Sequence, residues 1–338
     1  MKTNLPSSTY KFAQSKASTT SDEMGMREMQ RRAYSKRGYQ YLLIKSPPAS
    51  GKSRALMFIA LDKLHKQGLK KAVIVVPERS IGGSFSDTNL MEYGFWADFT
   101  VEPRWNLCNA PDDSTKVLFG KFLESDDQIL ICTHSTFRNA FAEYGSEVLD
   151  DCLLAIDEFH HVSMSDDNVL GQQLTALIER DKAHVVAMTG SYFRGDAVPV
   201  LSPGDEEKFQ TVVYTYYEQL NGYEHLKTLG LGYYFYSGSY LQKDDETGLT
   251  PIQAVLDPAE KTIIHIPNVN ARESTKDKIE EANAIMSSLG EWQGKDKETG
   301  FHLIKTPEGR ILRVADLVED EKDRDVVMGS LKDPRANG

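Results

Sequence analysis

Short aliphatic runs recur through the first part of the chain, at residues 41–44, 72–76, 128–132, 153–156 and 185–188. They are apolar throughout instead of alternating, which predicts parallel strands covered on both faces. Between them lie stretches of helical character, residues 52–67, closed by Gly68, and residues 169–180. Strand alternating with helix predicts a doubly wound α/β domain that ends near Pro203. Ahead of it, the first twenty-odd residues are rich in Ser, Thr and Lys without periodicity and read as a loose lead-in. Residues 25–37 (GMREMQRRAYSKR) read as a strongly basic helix.

The pattern changes after Pro203. Residues 211–217 (TVVYTYY) and 233–240 are aromatic and β-like. A second strand–helix unit follows, with residues 262–266 as strand and 273–289 as helix. Ile279, Ala282, Met286 and Leu289 give that helix its apolar stripe, and Gly290 supplies its stop. Residues 301–304 and 310–314 predict a hairpin turned through the segment TPEGR.

Composition narrows the class. The chain has 338 residues, 40% of them hydrophobic and 26% charged, which excludes disorder along its whole length. Three cysteines cannot build a disulfide framework, and Cys108, Cys132 and Cys152 are not spaced like zinc ligands. No run approaches the roughly 20 apolar residues of a membrane span. The opening segment lacks the apolar core of a signal peptide, so a cytoplasmic location is expected. The net charge of −11 argues against a protein that coats nucleic acid by bulk charge, but leaves room for a local binding groove.

Two motifs carry chemistry. Ser46-Pro47-Pro48-Ala49-Ser50-Gly51-Lys52-Ser53 follows an apolar strand and opens a helix, the context of a phosphate-binding loop. Gly51 lets backbone N–H groups curl round phosphates at a helix N-terminus, Lys52 suits the β- and γ-phosphates, and the Ser53 hydroxyl suits Mg²⁺. Ser46 stands where the first glycine of such a loop is usual. The second motif, Leu153-Leu154-Ala155-Ile156-Asp157-Glu158-Phe159-His160-His161, ends an apolar strand in two carboxylates. Such an Asp can hold Mg²⁺ through its water shell, and the Glu can orient and polarise an attacking water. The two histidines do not suggest a metal site, since adjacent side chains at a strand end point apart and no matching ligand pair is evident.

Together these residues resemble the helicase-like ATPases of superfamily two, the DEAD/DEAH-box and restriction-type translocases. Asp157-Glu158-Phe159-His160 is similar to their DEAH-type box, with Phe159 where Ala is usual. Further matches follow in the family's order. Gln30 resembles the upstream glutamine that reads adenine. Val76-Pro77-Glu78-Arg79-Ser80 and Thr133-His134-Ser135 are similar to motifs that contact nucleic acid. Thr189-Gly190-Ser191 resembles the motif that couples hydrolysis to strand movement, and residues 263–267 the strand that opens a second motor domain. The resemblance implies catalytic roles for Lys52, Asp157, Glu158 and His160, and ATP binding by Gln30, Ser50, Gly51, Lys52 and Ser53. It implies Mg²⁺ held by Ser53 and Asp157, and nucleic-acid contact by Arg79, Thr133 and His134. Thr189 and Ser191 would be coupling residues. Each has a plainer alternative: Gln30 as a solvated helix residue, Arg79 as the cap of a strand, Thr133 and His134 as satisfied turn residues, and residues 189–191 as a tight turn.

The implied architecture is a lead-in over 1–23, a RecA-like ATP-binding motor domain over 24–205, a β-rich connection over 206–260 and a partial second RecA-like domain over 261–338. The Gly-rich and Gln/Arg-rich motifs that complete such active sites are not found after Ile266, which is the pattern expected of a truncated motor. The implied function is an ATP-dependent helicase or translocase, with DNA favoured over RNA as partner. The alternative is a nucleotide-gated binding subunit of a restriction or phage-defence complex that does not translocate.

Overall fold

A computed structural model describes residues 7–159, 169–190, 202–232, 262–266, 277–318 and 321–333, together with Lys243, Asp245, Gly248 and Thr250. The chain divides into two compact units, Ser8–Leu231 and Gly232–Gly338, the latter with Met1–Ser7.

The first unit is built on a six-stranded parallel sheet. Its strands are β2 (Tyr41–Lys45), β3 (Ala72–Val76), β4 (Ile129–Thr133), β5 (Leu153–Ile156), β6 (His184–Thr189) and β7 (Gln210–Val213), in the order β4-β3-β5-β6-β2-β7. Burial on both faces explains the unbroken apolar runs, because successive side chains point to opposite sides of a strand. Leu42, Ile44, Ile74, Val76 and Val186 enter one core, with helix α1 (Glu28–Tyr34) and helix α2 (Lys52–His65). Leu43, Val73, Val75, Leu154 and Ala187 enter the other. There they meet helices α3 (Thr115–Glu124), α4 (His134–Tyr144) and α5 (Val169–Arg180). The predicted helix over 169–180 therefore stands as expected, and the mixed α/β fold with its parallel sheet is the one the strand pattern implies.

Three expectations change. The basic helix is shorter than residues 25–37: Gly25 adopts φ +74°, and the Asp22 carboxylate accepts from the N–H groups of Met24 and Met26, making a turn before α1. The β-like run over 211–217 breaks after Val213. Thr215 and Glu218 form a reciprocal capping box that starts helix α7 (Tyr216–Asn221), α6 being the single turn Pro203–Glu206. Residues 262–266 form no strand among the described residues, and Ile263 is 97% exposed, so this β-branched run does not take the buried strand place its composition suggests. The expected β-like run over 233–240 lies outside the described residues.

The lead-in is tied down from residue 7 onward. Strand β1 (Ser7–Lys11) pairs with β8 (Thr228–Gly232), and the N–H groups of Phe12, Ser15 and Ser18 donate to the carbonyls of Lys227, Asn221 and Gly222.

In the second unit, a helix over Lys278–Leu289 packs Met286 and Leu289 against Ile304. The sheet beside it is antiparallel, β11 (Ile311–Val314), β10 (His302–Lys305) and β9 (Glu291–Lys295) in that order, so the predicted hairpin forms and gains a third strand. A helix over Glu321–Lys332, unforeseen in the sequence, follows. Among the described residues no helix is long and apolar enough to cross a membrane.

A buried ion makes the first unit sensitive to acid. Lys63, fully buried on α2, donates 2.8 Å to His184 Nδ1 and 2.9 Å to the Tyr39 carbonyl. Burial, and then the charge of Lys63, lowers the His184 pKa to about 4. The folded state therefore binds fewer protons than the unfolded chain between pH 6.5 and about 4, and stability falls as pH drops through that window. The loss stays below about 3.4 kcal/mol, because the imidazole is partly exposed and solvent screens it. Melting temperatures between pH 7 and 4.5 are expected to fall less steeply in His184→Gln than in the unaltered protein; equal slopes contradict this account.

Candidate nucleotide site

Every strand that precedes a candidate motif ends at the same edge of the sheet. In register, Lys45 lies beside Thr189, and Val76 beside Thr133. Ligand sites of open parallel sheets form at these carboxyl ends, where loops lead into helices.

The loop after β2 is held from several sides. Gly51 adopts φ +90° and Ala49 φ +60°, so successive N–H groups can turn towards one point, an anion-binding concavity at the start of α2. Glycine is favoured at 51 because the backbone is left-handed there, and a Cβ would press on Gln30 Nε2 at 2.5 Å and push that side chain aside. Gln30 is buried, accepting from the Arg27 N–H at 2.8 Å and donating to the Gly51 carbonyl at 3.1 Å. It is thus a clamp on the loop and not a solvated residue. The Ser46 and Ser50 hydroxyls lie 2.8 Å apart, and the Ser46 N–H donates to the Thr189 carbonyl at 3.0 Å. These contacts take over the shaping that a first glycine would give.

Lys52 is buried and donates to the carbonyls of Ser46 and Pro47 at 3.1 and 3.2 Å. Burial lowers its pKa, and the charges of Glu158 and Asp157 oppose that shift. A Cβ at Gly190 would lie 3.5 Å from Lys52 Nζ, which shows how closely the end of β6 approaches the loop.

Asp157 follows β5 and is 5% exposed; burial pushes its pKa up, with the Glu158 charge adding and that of Lys52 opposing. Its Oδ1 accepts from the Glu158 N–H at 2.9 Å. Glu158 adopts φ +49°, a conformation that costs a non-glycine residue about 1 kcal/mol or more, and such strain gathers at functional sites. A cleft of about 440 Å³ is lined by Gly51, Lys52, Ser53, Arg54, Asp157 and Glu158, among others, within the size range of small-molecule sites. The Arg54 guanidinium lies over the Tyr93 ring, 4.6 Å from its centroid.

Mg²⁺ prefers oxygen ligands and takes one or two carboxylates together with substrate phosphates. The Ser53 hydroxyl and the buried Asp157 carboxylate fit that donor set. Among the described residues no group of three or more His, Cys, Asp or Glu could hold a metal by itself.

The residues assigned to nucleic acid share the edge but are already engaged. Arg79 donates to the carbonyls of Cys108, at 2.7 Å, and Ala110. Thr133 is the N-cap of α4, accepting from the Thr136 N–H at 3.1 Å. His134 Nε2 donates to the Asp157 carbonyl at 3.0 Å, joining this strand end to the carboxylate pair. The basic cluster is largely neutralised internally: Arg31 and Arg32 pair with Glu28, Arg32 with Glu218, and Arg37 with Asp62. His160 and Ser191 lie outside the described residues. Sequence reasoning missed Arg54, which follows the motif, and Gln219, which no motif marks.

A parallel sheet whose carboxyl edge brings the loop over 46–53 and an Asp-Glu pair to one cleft is a RecA-like α/β fold. The chain belongs to the DEAD/DEAH box helicase family, whose model matches residues 27–195. Over 326 residues it is 53% identical to the Bacillus subtilis (strain 168) protein named "Putative ATP-dependent helicase YeeB". That match takes in 96% of this chain and 53% of the relative, so the chain spans about half the relative's length. Among solved structures, the Hef helicase domain of Pyrococcus furiosus is 16% identical, with a TM-score of 0.36, covering 54% of this chain and 37% of that one. The UvsW helicase from Bacteriophage T4 is 14% identical, also with a TM-score of 0.36, covering 55% of this chain and 60% of that one.

Proposed function

We propose that this chain is the ATP-hydrolysing part of a superfamily-two helicase or translocase that moves on DNA. The observation that carries the reading is the convergence of Lys52, Ser53, Asp157 and Glu158 in one cleft at the carboxyl edge of a parallel sheet. Lys52 binds the β- and γ-phosphates, exchanging its two loop carbonyls for phosphate oxygens. Ser53 and Asp157 hold Mg²⁺, which supplies charge neutralisation on the phosphates. Glu158 orients the attacking water and accepts its proton, with His160 beside this pair in the motif. Gln30 and Ser50 keep the loop in its binding shape. Nucleic acid crosses the edge near Arg79, Thr133 and His134, and Thr189 with Ser191 carries the effect of hydrolysis towards it. The name of the relative, an ATP-dependent helicase, supports the same reading.

A second reading is favoured by the engagement of Arg79 and His134 with backbone carbonyls. The chain would then be a nucleotide-gated subunit, in a restriction or defence complex, that switches without moving along DNA. Phosphate release with and without added single- or double-stranded DNA separates the two. The motor reading expects a rise of about tenfold or more, an estimate that takes about 1.4 kcal/mol as a minimal coupling. An unchanged rate, with DNA affinity that depends on bound ATP, favours the switch.

A further inference from the structure

The phosphate loop has a second clamp, supplied from a distant part of the chain. Gln219 on α7 is 5% exposed, and its Nε2 donates to the Pro48 carbonyl at 3.2 Å and to the Tyr223 hydroxyl oxygen at 2.6 Å. The Pro48 carbonyl fixes the orientation of this amide, because the reverse orientation would set two acceptor oxygens against each other. Its Oε1 is buried and accepts from no donor among the described residues. The buried amide thus ties the loop carbonyl of Pro48 to the Tyr223 hydroxyl, two partners from separate parts of the chain.

Gln219 is itself firmly placed. Its carbonyl accepts from the Ser18 hydroxyl at 2.8 Å, and Ser18 Oγ lies 2.8 Å from the Tyr214 hydroxyl. Gly222 lets the lead-in come this close, since a Cβ there would sit 1.9 Å from Ser18 Oγ. Arg32 of α1 donates to the Val213 carbonyl at 2.8 Å and to Glu218 at 3.0 Å, fixing α7 from the other side. After α7 the chain runs into β8, paired with β1, and then leaves the first unit. Gln30 on α1 and Gln219 on α7 thus hold two carbonyls of one loop, those of Gly51 and Pro48.

We propose that Gln219 is a positioning residue for nucleotide binding, holding the phosphate loop through the Pro48 carbonyl and linking the loop's shape to the segment that leads out of the first unit. The inference rests on the reading of residues 46–53 as the ATP-binding loop. A shift of α7 would then be felt at the loop without any change in Lys52 or Ser53, a route by which a downstream segment alters nucleotide affinity.

The test compares Mg-ATP dissociation constants of the unaltered chain, Gln219→Met, Gln219→Leu and Lys52→Ala, together with their melting temperatures. Gln219→Met keeps the length of the side chain but has no donor for the Pro48 carbonyl, and Gln219→Leu removes the hydrogen bond with little change in volume. Both are expected to weaken ATP binding about five- to tenfold, the size of one lost hydrogen bond, at a melting temperature within a few degrees of the parent. ATP affinity unchanged in both, with Lys52→Ala weakened, overturns the role of Gln219 and leaves the loop assignment standing. Affinity unchanged in all three overturns the loop assignment itself. If Gln219→Leu melts much lower, Gln219→Met decides, and normal affinity in that variant overturns the proposal.

Discussion

Glu158→Gln is expected to bind Mg-ATP as the unaltered chain does and to turn it over about 10²–10³-fold more slowly, the usual contribution of a positioned general base. The substitution keeps the size and the partly exposed placement of the side chain and removes only its ability to take a proton. Asp157 keeps its contact with the backbone N–H at position 158, so the buried carboxylate beside Lys52 is undisturbed. Steady-state phosphate release checks the rate, and equilibrium nucleotide binding checks that the cleft is intact. Turnover within about threefold of the parent, roughly 0.7 kcal/mol, removes the water-orienting role from Glu158.

Lys52→Ala is expected to weaken Mg-ATP binding about ten- to a hundredfold, the effect of losing about 1.5–3 kcal/mol of charge-assisted hydrogen bonding. The effect is large because the ammonium is buried. Burial disfavours its charge, Glu158 and Asp157 compensate in part, and its donors rest on two carbonyls of the loop it serves. A polyphosphate is a better partner than those carbonyls, since it offers full negative charge in a site shielded from water. The fold is expected to survive, because alanine suits the first turn of α2 and Asp157, whose pKa burial already raises, can take up a proton once the lysine charge is gone.

Much of this was legible in the sequence, for identifiable reasons. Strands β2, β3, β5 and β6 are buried on both faces, so their runs stay apolar and stand out against the helices between them. Residues 46–53 and 153–158 were legible because their chemistry is local: a loop, a lysine and two carboxylates each need only their immediate neighbours in sequence. What stayed hidden is long-range. Nothing in residues 8–22 shows that their N–H groups will find carbonyls more than two hundred positions away, and no motif marks Gln219 as a partner of Pro48. His134 reads as a strand-end residue until its bond to the Asp157 carbonyl is seen. The break at Val213 was readable, since Thr215 followed by Glu218 is a helix-start signal, but the aromatic run around it reads more strongly as strand. Residues 262–266 show the converse, an apolar run that needs a partner strand and has none among the described residues.

On the proposed function, ATP binds in the cleft bounded by residues 49–53 and Asp157-Glu158. Titration of Mg-ATP into the unaltered chain and into Lys52→Ala, with ADP as competitor, tests it most directly. Saturable binding at one site per chain, competed by ADP and weakened at least about tenfold in Lys52→Ala, is the expected result. Equal affinity in the two proteins, or no binding to the unaltered chain at millimolar ATP, contradicts it.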